Sequence, residues 1–449
     1  MENILFWFFW WATLGICLWK IAEGFSRPNR MLEWPFLASS MWFYFYVYMA
    51  YGVKMGQPEY LPKDSFGLGQ LMPLLCLIGI ISGWASGLRG MRAQSDTKAL
   101  YPLHSVWMAG LILMLIGIAG NHSVNRAVAS GNLDFSKTSA YWYGLFYVGY
   151  PGLALSVWAL SKMPGRRRWL LWLMTASALI VLLLPYLVNA RRGPTFPAIF
   201  ILLLVPPLAK KQPPKPVLFF GGLVLAGLLM LVFYNIRTNL YKEGGTWSEA
   251  MPQLNVQDAV ESRNQGLYDN EYINNCWIIY TLSQNNKFQY GTGHLELLVH
   301  WIPRALWESK PIIGEGYYSH EELFNDVNGQ AGFNLMGGGA SAGGVADSFV
   351  QYGYLTPFFW FGLGWVAARA YIRGRVGNNP RWLFTYVGFV CASHWLTSQG
   401  FVAAFVPGMC FIMVPLVVLP MIRTSLTRVR AGMRNKRMDL KPEQDSIVE

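Results

Sequence analysis

Residues 169–188 read WLLWLMTASALIVLLLPYLV, a stretch without a single charged side chain. A helix rises about 1.5 Å per residue, so a stretch of this length crosses the roughly 30 Å hydrocarbon core of a bilayer. Arg166 to Arg168 precede it, and Arg191 and Arg192 follow it in the short connection to the next apolar stretch. This segment therefore predicts a transmembrane helix with basic residues at both ends.

Apolar stretches of similar length recur along the whole chain and predict an all-α polytopic membrane protein with about 11 transmembrane helices. The seventh and tenth are the shortest. The eighth and ninth are separated by a long segment, which predicts a large extracytoplasmic loop. The predicted spans are 3–20, 34–52, 66–87, 103–120, 138–160, 169–188, 195–209, 216–235, 345–368, 382–397 and 401–422.

Lys and Arg residues are distributed unevenly between the connections. With the N-terminus outside, 24 of the 36 Lys and Arg residues fall in the cytoplasmic connections and the tail. Six of the others lie in the long segment, where the positive-inside bias has little weight. The N-terminus is therefore predicted outside and the C-terminus in the cytoplasm. The predicted regions are transmembrane helices 1–8 (1–235), the extracytoplasmic loop region (236–344), transmembrane helices 9–11 (345–422) and a basic cytoplasmic tail (423–449).

The composition sets limits on partners and metals. The chain is 53% hydrophobic and 13% charged, and its net charge of +12 lies mostly in the cytoplasmic connections. That charge indicates topology and contact with anionic membrane lipid, and we expect no nucleic-acid partner. Four of the five cysteines lie in spans, which argues against a disulfide framework. The spacing of His294, His300 and His320 fits no compact metal site, so no metal is predicted.

The long segment contains apolar runs at Tyr272–Leu282 and Leu295–Leu306, which predict helices packed against the membrane face. The run from His294 to Ile302 predicts an amphipathic or interfacial helix that stops at Pro303. Ionisable residues are scarce inside the spans, and Asp347 lies toward the outer end of its own. Because ion-coupled transport requires such groups at mid-membrane, this pattern favours chemistry or binding at the outer surface.

Two adjacent arginines, Arg191 and Arg192, stand in a short outer connection against the charge bias. Arginine suits a diphosphate because its planar guanidinium donates paired hydrogen bonds and stays charged. Snorkelling of both side chains to lipid headgroups explains the pair equally well. Arg237, Arg304 and Lys310 are further cations predicted at the same surface. Together these five residues favour a polyanionic lipid headgroup as ligand.

Four pieces of the chain resemble the pattern of Wzy-type oligosaccharide repeat-unit polymerases, the O-antigen and exopolysaccharide polymerases of bacteria. That pattern has an Arg-Gly pair opening a span from the outer side and an Ile-Pro-x-x-Leu-Trp string that ends in Lys-Pro. A small-residue stretch then leads into an acidic residue at the next span. Asp347 occupies that acidic position, where the family pattern has Glu. The matching pieces are 189–195, 234–241, 301–311 and 343–353.

The resemblance implies a GT-C-like glycosyltransferase in the bacterial inner membrane. It would join undecaprenyl-diphosphate-linked oligosaccharide repeat units, as both donor and acceptor, into O-antigen, capsule or exopolysaccharide at the outer face. The lipid diphosphate would be the leaving group, with no nucleotide sugar, cofactor or metal. A chain-length-regulating co-polymerase is a further implied partner.

Under this resemblance the leaving diphosphate is assigned to Arg191, Arg192, Arg237 and Arg304, with Lys310 behind them, because stabilising its charge is the main electrostatic task. The general base for the acceptor hydroxyl stays open between several side chains. One of them, Asp347, has an alternative role as a cap of its own helix. The candidates for the base are His300, Asp347, Glu315 and His320.

Three other functions stay open. An O-antigen ligase uses the same donor with a different acceptor. A flippase or exporter of the lipid-linked oligosaccharide predicts polar residues through the spans, which are scarce here. A non-catalytic scaffold predicts that charge-neutral substitution of Arg191 or Arg192 leaves polymer length unchanged.

Overall fold

The computed structural model describes residues 2–56, 61–89, 101–129, 140–165, 168–188, 193, 195–225, 227, 271–286, 288–299, 302, 306–307, 309, 342–377 and 379–439. Every regular element in these ranges is helical, which confirms the all-α part of the predicted fold class. A π-helical turn, Phe43–Tyr48, joins the second helix directly to the third. The helices are α1 (Glu2–Ser26), α2 (Trp34–Trp42), α3 (Met49–Gly56), α4 (Ser65–Leu88), α5 (Leu103–Ala129), α6 (Ala140–Lys162), α7 (Arg168–Val188), α8 (Thr195–Lys210), α9 (Pro216–Leu225), α10 (Glu271–Asn285), α11 (Thr292–Glu296), α12 (Gly344–Tyr352), α13 (Thr356–Tyr371), α14 (Pro380–Ser398) and α15 (Phe401–Asp439).

Six of the described helices, α1, α4, α5, α6, α7 and α15, are long and apolar enough to cross a membrane. On α7 the large side chains of Trp169, Leu173, Ile180 and Leu184 form an exposed stripe at helical spacing. An apolar stripe of this size is unfavourable in water and favourable in lipid. The described residues are thus consistent with an α-helical polytopic membrane protein. The other predicted spans coincide with shorter or less apolar helices, and the eighth extends beyond the described residues.

Glycines on α4 let this helix pack closely against α13. A Cβ on Gly79 would lie 2.5 Å from the carbonyl oxygen of Pro357, and one on Gly87 would lie 2.8 Å from that of Trp365. Gly83, between them, faces the backbone of Phe361. Small residues spaced four apart are the usual means by which membrane helices approach at backbone distance, because lipid supplies no hydrophobic force between helices. These three glycines therefore fix α13, which follows α12 in the chain, against α4.

The predicted ninth span, 345–368, is not one continuous helix. It is divided into α12 and α13 by a 3-10 turn, Gly353–Leu355. Gly353 has φ +55°, in the left-handed region that favours glycine, and the ring of Phe288 fills the space beside it. Thr356 Oγ1 donates to the Gly353 carbonyl at 2.7 Å and starts α13. The turn therefore separates α12 from α13 as two helices.

The predicted helix at Tyr272–Leu282 is confirmed as α10, which packs inside the bundle against α4 and α12. The Tyr272 hydroxyl donates to Gln70 Oε1 at 2.9 Å, and Asn275 Nδ2 donates to the Gly69 carbonyl at 3.1 Å. Both bonds are buried, so they hold a helix of the predicted loop region to a helix of the membrane bundle.

The predicted helix from His294 to Pro303 is shorter than expected. The α conformation ends at Glu296 and tightens into a 3-10 turn, Leu297–Val299. His294 is buried, whereas Leu295 and Leu298 are 62% and 66% exposed. His294 and Leu297 thus face the protein, whereas Leu295 and Leu298 face outward, so burial in this run does not follow the division into polar and apolar residues. Pro303 lies outside the described residues.

Candidate functional site

Asp347 lies in the first turn of α12 and its side chain is buried. Its Oδ2 accepts a hydrogen bond of 2.7 Å from the backbone N–H of Phe401, the first residue of α15. A carboxylate here satisfies a helix N–H and faces the positive end of the helix dipole. Asp347 thus caps α15 by a hydrogen bond, while in α12 it is an acid in the first turn without a side-chain capping bond. Its Oδ1 has no hydrogen-bond partner among the described residues.

His294, on α11, faces the same carboxylate. Its Nε2 lies 3.7 Å from Asp347 Oδ2, and its Nδ1 lies 2.8 Å from the hydroxyl of Tyr352 at the end of α12. The three side chains form a chain from a buried carboxyl through an imidazole to a phenol. Sequence analysis missed both His294 and Tyr352 as site residues. No local pattern links them to Asp347, since α11 and α12 are brought together only by tertiary packing.

Aromatic rings enclose the imidazole of His294. The ring of Phe401 lies 4.5 Å from it, centroid to centroid, and that of Phe359 lies 5.5 Å away. Tyr352 stacks on Phe359 at 5.0 Å. These apolar walls limit water around the carboxyl and the imidazole, which strengthens electrostatic interactions between them.

Backbone bonds fix α11 to α12. Gln289 N donates to the Val350 carbonyl at 2.9 Å, and Gly291 N donates to the Gln351 carbonyl at 3.0 Å. The side chain of Gln351 accepts from Gly293 N at 3.1 Å and donates to the side chain of Gln289. The segment that leads into α11 is therefore held along α12, and this contact places His294 opposite Asp347.

Four helix ends meet around this pair. The start of α12 meets the end of α14, because Gly344 lies against the carbonyl of Leu396. The start of α8 meets the same end of α14, because the Phe196 and His394 rings lie 4.3 Å apart. The start of α15 is joined to α12 by Asp347. We name this region the Asp347 end: the starts of α8, α12 and α15 and the end of α14. The predicted topology assigns all four helix ends to one side of the membrane.

Of the predicted site residues, only Asp347 belongs to the part of the chain that the structure describes. Arg191 and Arg192 directly precede Gly193 in the chain, and a Cβ on Gly193 would lie 3.4 Å from Trp395 Nε1 on α14. Within the described residues there is no group of three or more side chains suited to hold a metal ion. The predicted residues outside the described ranges are His300, Glu315, His320, Arg191, Arg192, Arg237, Arg304 and Lys310.

The arrangement is suited to moving a proton. A carboxylate beside one ring nitrogen of a histidine fixes the tautomer and the orientation of the ring, and the other nitrogen is then available to a hydroxyl. The enclosing aromatic rings and the tight backbone contacts hold the three side chains in fixed positions relative to one another.

No protein-family model matches this chain, and neither a curated protein nor a solved structure matches it.

Proposed function

We propose that the protein is a membrane glycosyltransferase that polymerises undecaprenyl-diphosphate-linked oligosaccharide repeat units into a surface polysaccharide. The observation that carries the proposal is the convergence of four helix ends on the buried Asp347–His294 pair, at the side that also receives the Arg191–Arg192 connection in the predicted topology. The resemblance to Wzy-type polymerases falls on the same pieces of the chain, 189–195 and 343–353.

In this proposal the chain has eleven spans in a GT-C-like arrangement, with its N-terminus outside and its C-terminus in the cytoplasm of a bacterium. Cations beside tryptophan rings support the assignment of the cytoplasmic side, because both residue types concentrate at the membrane interface and cations favour the inner one. These pairs lie at helix ends that the topology assigns to the cytoplasm. They are Lys20 over Trp19 at 4.0 Å, Lys162 over Trp158 at 4.5 Å, Arg369 over Trp365 at 4.9 Å and Arg373 over Trp382 at 4.5 Å.

The donor diphosphate binds at the Asp347 end in this proposal. Arg191 and Arg192 supply the guanidinium groups, and Arg237, Arg304 and Lys310 add positive charge. The N-termini of α8, α12 and α15 meet here, and each carries a partial positive charge that favours an anion. Negative charge develops on the diphosphate as its bond to the sugar breaks, and these groups stabilise it.

The acceptor hydroxyl loses its proton to the Asp347–His294 pair. His294 joins the earlier candidates for this role, and the geometry favours it because its imidazole lies beside a buried carboxylate. Asp347 orients the ring and faces the proton that the ring takes up. His300, Glu315 and His320 stay predictions.

The test compares the two ends of α8 in a deletion strain. Arg192→Ala removes a proposed diphosphate ligand before the start of the helix, and Lys210→Ala removes a cation at its other end. We expect Arg192→Ala to give a surface glycan of one repeat unit with no ladder, while Lys210→Ala keeps the ladder, at equal membrane levels of both variants. An unchanged ladder in Arg191→Ala and Arg192→Ala contradicts the diphosphate site. Loss of every surface glycan points instead to a ligase or an exporter.

A further inference from the structure

Both ring nitrogens of His294 are directed at protein atoms. Nδ1 lies 2.8 Å from the Tyr352 hydroxyl, and Nε2 lies 3.7 Å from Asp347 Oδ2. The side chain of His294 is 6% exposed. A substrate hydroxyl that approaches from outside therefore meets Tyr352 before it meets the imidazole.

The exposed fraction rises from Asp347 through His294 to Tyr352. The side chains of Asp347 and His294 are 1% and 6% exposed, and Tyr352 is partly exposed. The Tyr352 ring is held in place because it stacks on Phe359 and touches Gly291, where a Cβ would lie 3.3 Å from the ring. Tyr352 is thus the outward member of the chain, and its ring position is fixed.

The hydrogen positions follow from the chemistry of the partners. The Asp347 carboxylate lies 3.7 Å from Nε2, beyond hydrogen-bond distance, and its negative charge favours the tautomer that carries the proton on Nε2. The other nitrogen, Nδ1, then presents a lone pair, and the Tyr352 hydroxyl donates to it. In this arrangement the phenol oxygen keeps lone pairs that can accept a hydrogen bond from a sugar hydroxyl.

We propose that Tyr352 is the catalytic residue that receives the proton of the acceptor sugar hydroxyl, an inference that rests on the proposed function. The acceptor oxygen forms a bond to the anomeric carbon of the donor as the bond from that carbon to the diphosphate oxygen breaks. The electron pair of the broken bond leaves with the diphosphate. The acceptor proton passes to the Tyr352 oxygen while the phenol's own proton passes to Nδ1 of His294. The imidazolium that results lies beside the Asp347 carboxylate, and Tyr352 is unchanged after the step.

The experiment uses the full chain purified into vesicles of bacterial phospholipid, with a synthetic undecaprenyl-diphosphate-linked repeat unit as donor and acceptor. Tyr352→Phe keeps the stacked ring and removes only the hydroxyl. We expect kcat to fall about 10²- to 10⁴-fold, the range of general acid–base catalysis, with little change in the acceptor KM. Tyr354→Phe is the matched control, since this exposed tyrosine packs its ring on Phe288 and Phe349 without touching His294.

Two further variants separate proton transfer from positioning. Tyr352→Gln retains an N–H that can hold Nδ1 but cannot pass a proton onward, so we expect it to be as slow as Tyr352→Phe. The double variant Tyr352→Phe/His294→Ala should lose no more activity than the more impaired single variant, because the two groups act as a unit. Thermal unfolding of each variant in detergent verifies that it is folded.

Two results overturn the inference and leave the proposed function standing. One is full kcat in Tyr352→Phe together with loss of kcat in His294→Ala, which means that the imidazole meets the substrate itself. The other is recovery of kcat in Tyr352→Gln, which reduces Tyr352 to a positioning residue. Wild-type protein that forms no polymer from the lipid-linked repeat unit contradicts the proposed function itself.

Discussion

The two ends of the helix bundle treat their charged side chains in opposite ways. At the Asp347 end, one carboxyl is buried beside an imidazole, and one of its oxygens has no partner among the described residues. At the other end, Lys20 bonds Glu23 at 2.8 Å, and Arg30 contacts the carboxylates of Glu23 and Glu33 at 3.3 and 3.4 Å, with its side chain 36% exposed. We name this the Glu23 end: the end of α1 and the start of α2.

The difference separates charge used for anchoring from charge placed for chemistry. These ion pairs are only partly exposed, and each carboxylate has a cation within 3.4 Å, so the charges are compensated within the protein. A buried carboxyl with an unsatisfied oxygen lowers stability, and proteins retain such groups mainly where they serve a site. The Glu23 end thus resembles an interfacial anchor, and the Asp347 end resembles a reaction site.

The largest effect is expected from removing the buried charge. Asp347→Asn keeps an oxygen for the Phe401 N–H but loses the carboxylate that faces His294. We expect polymerisation to fall about 10²-fold or more, as for groups that act through a general base. Glu23→Gln, at the opposite end, should leave the polymer ladder unchanged. The measurement is the glycan ladder of a complemented deletion strain, and equal ladders in the two variants would remove the functional distinction between the two ends.

A smaller effect is expected from crowding the buried carboxyl. Gly400 has φ +113°, and a Cβ there would lie 2.5 Å from Asp347 Cγ. Gly400→Ala should therefore destabilise the protein by about 1–3 kcal/mol, because it adds backbone strain and a clash. Gly362→Ala is the matched control, since a Cβ at that position of α13 has nothing within 4 Å. Thermal unfolding in detergent measures both, and equal melting temperatures would contradict the tight packing of the Asp347 end.

The smallest effect is expected at Glu33, which precedes α2. Burial raises the pKa of its carboxyl, and the nearby Arg30 opposes that rise. The folded protein therefore binds this proton more tightly than the unfolded chain. The stability that the protonated Glu33 contributes is lost as the pH rises through the folded pKa. Glu33→Gln should change stability by less than about 1 kcal/mol at neutral pH and remove this part of the pH dependence. Melting temperatures between pH 4 and pH 8 test it, and a wild type that gains stability relative to Glu33→Gln as the pH rises would contradict the sign.

Hydropathy located the long helices well, because a long apolar run bounded by charged residues has few alternatives to a transmembrane helix. The stretch 169–188 became α7, Arg168–Val188, and 66–87 became α4, Ser65–Leu88. The break at Gly353 escaped prediction because hydropathy averaged over the whole stretch, although Gly353 and Pro357 are residues typical of a helix end and of a helix start.

The candidate site was harder to predict than the helices. Asp347 was predicted as a candidate because it is an acidic residue at the start of a predicted span, in the piece 343–353 that resembles the polymerase pattern. His294 was not, since its pairing depends on how α11 docks along α12 through Gln289 and Gln351. Likewise, α10 was predicted as a helix of the loop region packed against the membrane face, whereas buried hydrogen bonds from Tyr272 and Asn275 hold it to α4 inside the bundle.

There is no room for a Cβ between position 400 and the Asp347 carboxyl, and this contact has an evolutionary consequence. A glutamate at position 347 carries one more methylene, so its carboxylate could neither keep its distance from His294 nor fit against Gly400 without a shift of α15. The short acid and the glycine are therefore expected to have been inherited as a pair. A lineage that exchanged one of them would first have had to move the start of α15.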